Sequence, residues 1–274
     1  MSVKYENIKE KIGSRILEDK QSLLSGKYAS EIRELLEQPG VLIFPEINFT
    51  EDEQIEFTKT LGNYLPETKD GKTTMISLDE SKNPGTAEYL KGSLYWHLDG
   101  TMNEKPVLAS ILCGKTLSKE GGDTHFSNTY AAYEALSETE QAEYEKYTVR
   151  HAPWASMFFY NQEPATDTMI NYMNIGETEL PLVWKHKSGR KSLVLGCTAY
   201  EVVDKSYKDS KIILNSLLNH ATQDEFVYKH KWSVGDMVIW DNTGTLHRAT
   251  PYDPFGGREL RRTKLEGEEA FAYA

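Results

Sequence analysis

The spacing of apolar residues changes near residue 71 of this 274-residue chain. Before it, apolar side chains recur at helical intervals: Ile8, Ile12, Ile16 and Leu17, then Ile32, Leu35 and Leu36. That period predicts helix over 6–38, interrupted at Ser25-Gly26 and stopped by Pro39-Gly40. The run 41–44 (Val-Leu-Ile-Phe) predicts a short buried strand. Thr50, with Glu53 three residues on, forms a capping-box signature ahead of a helix carrying Ile55, Phe57 and Leu61. After residue 71, short apolar or alternating runs predict strands at 74–78, 94–98, 107–112, 124–127, 191–195, 226–232, 237–240 and 259–265. Two helical stretches, 129–147 and 209–222, interrupt them. No repeat, low-complexity tract or linker divides the chain. The pattern predicts a mainly β fold with flanking helices, as a sandwich, jelly roll or barrel. It predicts one domain over 1–274, with a helical N-terminal part of about residues 1–65 packed on the β core.

Composition narrows the function. The net charge is -11, from 31 basic and 42 acidic residues, which opposes a nucleic-acid partner. No apolar run is long enough for a bilayer span, so no membrane role is expected. The N-terminus lacks the apolar core of a signal peptide. Cys113 and Cys197 form neither a disulfide framework nor a zinc pattern, which fits a cytoplasmic protein.

The chemistry concentrates at His97-Leu98-Asp99. Side chains one residue apart on an extended strand point to the same side, so His97 and Asp99 can cover two positions of one metal ion. A second histidine would complete the two-His-one-carboxylate set of non-haem Fe(II) oxygenases, with open positions opposite. His247, just past the polar turn after the 237–240 run, is one candidate. His125 is the competitor, although if Thr124 faces the site then His125 faces away. His151, His186, His220 and His230 lack local support and read as surface or structural. Asp241 and Asn242 either orient His247 or only shape the turn before it.

Four blocks carry a family resemblance: Trp96-His97-Leu98-Asp99-Gly100, Glu120-Gly121-Gly122-Asp123-Thr124, Ala131-Ala132-Tyr133-Glu134-Ala135-Leu136-Ser137, and the stretch from Gly235 through His247-Arg248-Ala249 to Arg258 and Arg262. In order and spacing the chain resembles the Fe(II)/2-oxoglutarate-dependent dioxygenases of the taurine dioxygenase/TfdA type, from about residue 40 to 267. The resemblance implies a double-stranded β-helix (jelly-roll) core. It implies iron ligation by His97, Asp99 and His247, and capture of the distal carboxylate of 2-oxoglutarate by Thr124 and Arg258. The implied activity is oxidation of a small, anionic organic substrate by O2, with release of succinate and CO2. Hydroxylation is the default outcome, with C–heteroatom cleavage where the new hydroxyl lies beside a heteroatom. Asp99 fills the place that is small in related halogenases, so halogenation is disfavoured. Desaturation or decarboxylation in a secondary-metabolite pathway is one alternative, and a catalytically inactive jelly-roll binding protein is another.

Arg262 sits where family members with anionic substrates place a substrate-binding arginine; otherwise it supports the cosubstrate end of the pocket. Lying four apart, Arg258 and Arg262 share a strand face, and Arg261 points away into solvent. Met102 and Asn103, just past Asp99, are placed to touch substrate. The aromatics Tyr95, Trp96, Trp154, Phe158, Phe159 and Tyr160 serve either core or pocket. No histidine precedes His97, which disfavours taurine itself. The 153–180 stretch reads as a long loop suited to a lid. Homo-oligomeric assembly is left open.

Overall fold

The computed structural model describes residues 2–274. Two facing sheets form its centre, as the jelly-roll expectation requires. Among the described residues, the larger sheet has seven strands, in the order Tyr5–Asn7, Ser14–Ile16, Val41–Phe44, Met237–Asp241, Ala109–Thr116, Glu259–Leu265 and Thr74–Ile76. The smaller sheet sets Thr124–Asn128 between Val227–His230 and Thr245–Ala249.

Alternation along the strands explains why both faces of the larger sheet are buried. Met237 and Ile239 face outward with Phe44 and Ile111, under the helix Glu51–Leu61. Val238 and Trp240 face inward, against Phe126 of the smaller sheet. A strand buried on both sides reads as a continuous apolar run, which is what Met-Val-Ile-Trp is. The outer face of the smaller sheet is covered by the helix Tyr207–Ala221, through Leu214 and Leu217. Jelly-roll sheets thus enclose a cavity whose walls come from Trp240, Leu112, Leu260 and the strand ends.

The N-terminal expectation is corrected. Residues 6–19 are not helical: Tyr5–Asn7 pairs antiparallel with Ser14–Ile16, which in turn pairs parallel with Val41–Phe44. Gly13 turns the chain at φ +84°, and its carbonyl accepts from the Ile8 amide at 2.9 Å. Ile12 and Ile16 are buried as predicted, but as parts of the sheet region rather than of a helix. The helices Lys20–Leu24 and Ala29–Glu37 follow. Strand pairing across the sheet edge won over a local helical period that only four residues supported.

Three further differences have local causes. Residues 94–98 form no regular strand; a 3-10 turn, Lys91–Leu94, leads into an isolated bridge at His97. The 129–147 helix is two, Thr129–Glu134 and Glu138–Tyr144, because Ser137 caps the second with Glu140 in a capping box. The 153–180 stretch carries the helices Pro153–Met157 and Thr166–Met173 and the strand Thr178–Pro181. Among the described residues no helix is long and apolar enough to cross a membrane. Cys113 and Cys197 are buried and unpaired.

The Thr50 capping box is present: the Thr50 side chain accepts from the Glu53 amide at 3.2 Å, and Glu53 accepts from the Thr50 amide at 2.7 Å. This helix is packed on the sheet by Phe57, whose ring meets Phe44 edge-on at 5.6 Å. Thr50→Ala is expected to lower stability by about 1 kcal/mol, read as a shift of the urea midpoint. An unchanged midpoint would show that packing alone holds the helix start.

Candidate active site

His97 and His247 are joined by their backbones. His97 N–H donates to the His247 carbonyl at 3.1 Å, and His247 N–H donates to the His97 carbonyl at 3.0 Å. This hydrogen-bonded antiparallel pair sets the two imidazoles side by side, with centroids 4.0 Å apart. Leu98 turns into the core, and Asp99 returns to the side of His97. One ligand atom from each of His97, Asp99 and His247 lies within 4.8 Å of the other two. His125 is not in this group; its ring lies beside Trp96, 6.3 Å between centroids, outside the cavity.

Protonation suits a cation. The Tyr95 carbonyl can only accept, so His97 Nδ1, 2.9 Å away, carries the proton and Nε2 is left with its lone pair. That Nε2 lies 3.7 Å from Asp99 Oδ1, and His247 Nε2 lies 3.9 Å from Asp99 Oδ2. Burial works against the Asp99 charge, but nearby fixed cations, Lys264 and Arg262 among them, hold the carboxyl well below the usual carboxylate range. Burial pushes His247 well below the usual imidazole range, so it is neutral. Two imidazoles and one carboxylate form a donor set that fits Fe(II).

The support around the ligands differs from the expectation. Asn242 does not touch His247. Its carbonyl accepts from the Asp99 amide at 3.0 Å, while its Nδ2 donates to the carbonyls of Asp99, at 2.7 Å, and Val107, at 3.0 Å. Asp241 makes the expected turn, accepting from the Thr243 amide and hydroxyl. His247 Nδ1 is buried without a hydrogen-bond partner. Its ring is held by packing instead, 4.6 Å from the Trp240 ring and 6.5 Å from Phe126. Gly196 lies against the other ligand strand: a Cβ there would stand 2.9 Å from His97 Cα, and its φ of +123° also favours glycine.

Thr124 and Arg258 open on the same cavity as His97 and His247. Arg258 is 2% exposed, and its Nε and Nη2 donate to the Gly122 carbonyl at 3.2 and 2.8 Å. Its guanidinium lies 4.5 Å from the Tyr252 ring centroid. A carbonyl and a ring face do not neutralise a buried cation, so this guanidinium suits an anionic ligand. Gly122 is required beside it: φ is +77°, and a Cβ would stand 2.7 Å from Arg258 Nε. Trp232 Nε1 donates to the Thr124 hydroxyl at 3.0 Å, which leaves the Thr124 proton to be donated elsewhere. A buried arginine with a hydroxyl donor fits one carboxylate end of 2-oxoglutarate.

Residues 4–264 match the profile of the family described as taurine catabolism dioxygenase TauD, TfdA family. The chain belongs to this family. It is 33% identical over 261 residues to the alpha-ketoglutarate-dependent 2,4-dichlorophenoxyacetate dioxygenase of Cupriavidus pinatubonensis, covering 89% of this chain and 90% of the relative. It is 30% identical over 246 residues to the (S)-phenoxypropionate/alpha-ketoglutarate-dioxygenase of Sphingobium herbicidovorans, covering 84% and 83%. The solved structure of AAD-2 in complex with Mn(II) and N-oxalylglycine superposes with a TM-score of 0.84 at 27% identity, over 99% of this chain and 100% of that one. As a TauD/TfdA enzyme the chain is an Fe(II)- and 2-oxoglutarate-dependent dioxygenase, an oxidoreductase using O2.

A second cavity opens on the other side of the ligand trio. Met102 and Asn103 line it, together with Tyr89, Thr198 and Lys264. Arg262 lines both cavities, and its Nε and Nη2 are paired with Glu67 at 2.9 and 2.7 Å. Arg261 does point away, but it is half-buried rather than free in solvent: Nη2 donates to the Phe49 carbonyl at 2.7 Å. Trp96 is core, under the Arg248 guanidinium, whereas Trp154, Phe158 and Phe159 line a separate surface groove with Tyr200. Sequence reasoning missed Asn242's grip on Asp99, Trp232, Tyr252, Glu67 and Lys264. Lys264 was within reach of it, since it is two residues from Arg262 on one strand and shares its face.

Asn242→Ala is expected to weaken divalent-metal affinity about 10–100-fold, the range for losing a support of a ligand, with little change in the melting temperature. Titration with Mn(II) or Co(II) measures it. Unaltered affinity would mean that strand pairing alone fixes Asp99.

Proposed function

We propose that His97, Asp99 and His247 hold the iron of this dioxygenase, and that Thr124 and Arg258 hold the distal carboxylate of 2-oxoglutarate. One observation carries this: two of the three candidate ligands share a single cavity with a buried arginine that, among the described residues, forms no ion pair with a carboxylate. Iron, when bound with 2-oxoglutarate and O2, supplies the oxidising chemistry that yields succinate, CO2 and a hydroxylated substrate carbon.

The protein's own part is positioning and exclusion. His97 offers Nε2 because Tyr95 holds the Nδ1 proton. Arg258, seated on Tyr252 and Gly122, fixes one end of the cosubstrate. Thr124 donates its hydroxyl proton there because Trp232 occupies its lone pair. No side chain acting as a general base is needed.

The substrate we propose is a small organic carboxylate of the aryloxyalkanoate kind, as the names of the two relatives suggest. Arg262 and Lys264 anchor its anion, with Met102 and Asn103 beside the reacting carbon. Hydroxylation next to an ether oxygen gives a hemiacetal, which breaks to a phenol and a carbonyl acid. The helix Pro153–Met157 borders this side: Pro153 and Ser156 line the cavity, and we propose them as part of its lid. We further propose that the chain works as a single domain in the cytoplasm.

Oxygen uptake with Fe(II), with and without 2-oxoglutarate, tests the assignment when succinate is scored alongside phenol from a panel of aryloxyacetates. Asp99→Ala is expected to abolish turnover; full activity would remove it from the ligand set. Arg258→Gln is expected to raise the apparent KM for 2-oxoglutarate at least about tenfold, the scale of a lost charge-assisted pair, with a smaller effect on aryloxyacetate KM. An unchanged value would move the role to Arg262.

A further inference from the structure

Arg262 and Lys264 do not stand free in the substrate cavity. Both reach the same carboxylate: Arg262 Nη2 lies 2.7 Å and Lys264 Nζ 2.8 Å from Glu67 Oε1. The three side chains are mostly enclosed, at 17%, 14% and 25% exposure. Glu67 comes from a distant segment, yet it is not a stray surface group. The Leu65 amide donates to the Lys264 carbonyl at 2.9 Å, and the Tyr64 hydroxyl closes the segment by donating to the carbonyls of Gly71 and Lys72. Burial opposes the Glu67 charge, but Arg262 and Lys264 outweigh it and hold the carboxyl below its ordinary range.

Two cations and one carboxylate leave one net positive charge where a substrate anion is to sit. We propose that Glu67 is a specificity-determining residue that counts charge: it admits singly charged carboxylates and excludes dianions, including a second molecule of 2-oxoglutarate. This rests on Arg262 and Lys264 as the substrate's anion anchor. The geometry gives the exclusion a purpose. Arg262 lines both the cosubstrate and the substrate cavities, so an uncompensated Arg262–Lys264 pair would present a second dianion site beside the metal ligands. With Glu67 in place, the second charge of a dianion meets the Glu67 carboxylate, which bridges both cations, in a mostly enclosed cavity where like charges repel strongly. A monoanion takes the one surplus charge and leaves the cluster neutral. Lys264 supplies that surplus as much as Arg262 does.

Calorimetric titration of the Mn(II)- and 2-oxoglutarate-loaded protein, which does not turn over, separates these roles. Phenoxyacetate is the monoanion probe and 4-carboxyphenoxyacetate the dianion. The wild-type protein is expected to prefer the monoanion by about tenfold or more, and Glu67→Gln to erase that preference and to bind a second 2-oxoglutarate per chain. Lys264→Met is expected to weaken phenoxyacetate about tenfold. An unchanged monoanion-to-dianion ratio in Glu67→Gln, with phenoxyacetate binding still dependent on Arg262, overturns the charge count alone. Failure of the wild type to bind phenoxyacetate, or full binding by Arg262→Gln, overturns the anion anchor and the charge count together. Where Glu67→Gln does not fold, Lys264→Met decides, and unchanged phenoxyacetate affinity overturns the proposal.

Discussion

Two backbone hydrogen bonds between His97 and His247 carry the site. They join residues 150 positions apart at the open end of the two sheets, and they do so through main-chain atoms that no side-chain change removes. Each histidine is then aimed by a different means. His97 is aimed by a hydrogen bond from Nδ1 to the Tyr95 carbonyl, and His247 by the rings of Trp240 and Phe126. A metal site needs ligand atoms held to a fraction of an ångström, and a sheet ladder supplies that precision more cheaply than a loop. Asp99 lies just beyond the ladder and needs its own fastening, which Asn242 provides.

The remaining architecture manages buried charge. Arg258 is buried and Asp99 mostly enclosed, and among the described residues neither forms an ion pair with a side chain of fixed opposite charge. Each is suited to a bound partner of opposite sign, so much of the cost of burying them is recovered only in the loaded enzyme. Arg262 differs in that its partner, Glu67, belongs to the protein. The site therefore joins two kinds of electrostatics: charges whose partners arrive with the reaction, and a set compensated in part before substrate enters.

The parts legible in the sequence were those carried by local spacing. The period of two placed His97 with Asp99 and Arg258 with Arg262, and the Thr50–Glu53 signature placed a helix start. The double burial of Met237–Asp241 was visible in its unbroken apolar run. What stayed hidden was tertiary. Asn242 looked like a turn residue because its partners, Asp99 and Val107, are remote in sequence. Glu67 was one acid among many until the Leu65 amide was seen to tie its segment to Lys264. The N-terminal hairpin was masked because Ile8, Ile12 and Ile16 imitate a helical face, and only pairing with Val41–Phe44 decides for strand.

Asn242 has a wider effect than holding one ligand. Its single amide grips the carbonyls of Asp99 and Val107, the two ends of the segment that carries Met102 and Asn103. That segment is in effect a ring closed at its neck by a residue outside it. Its length and chemistry can vary within the ring while the neck, and with it the Asp99 carboxylate, stays where it is. On the proposed roles of Met102 and Asn103 towards substrate and of Asp99 towards iron, substrate preference and oxidising power are thereby mechanically separated, which is the arrangement a lineage needs if it is to change what it oxidises without relearning how to oxidise.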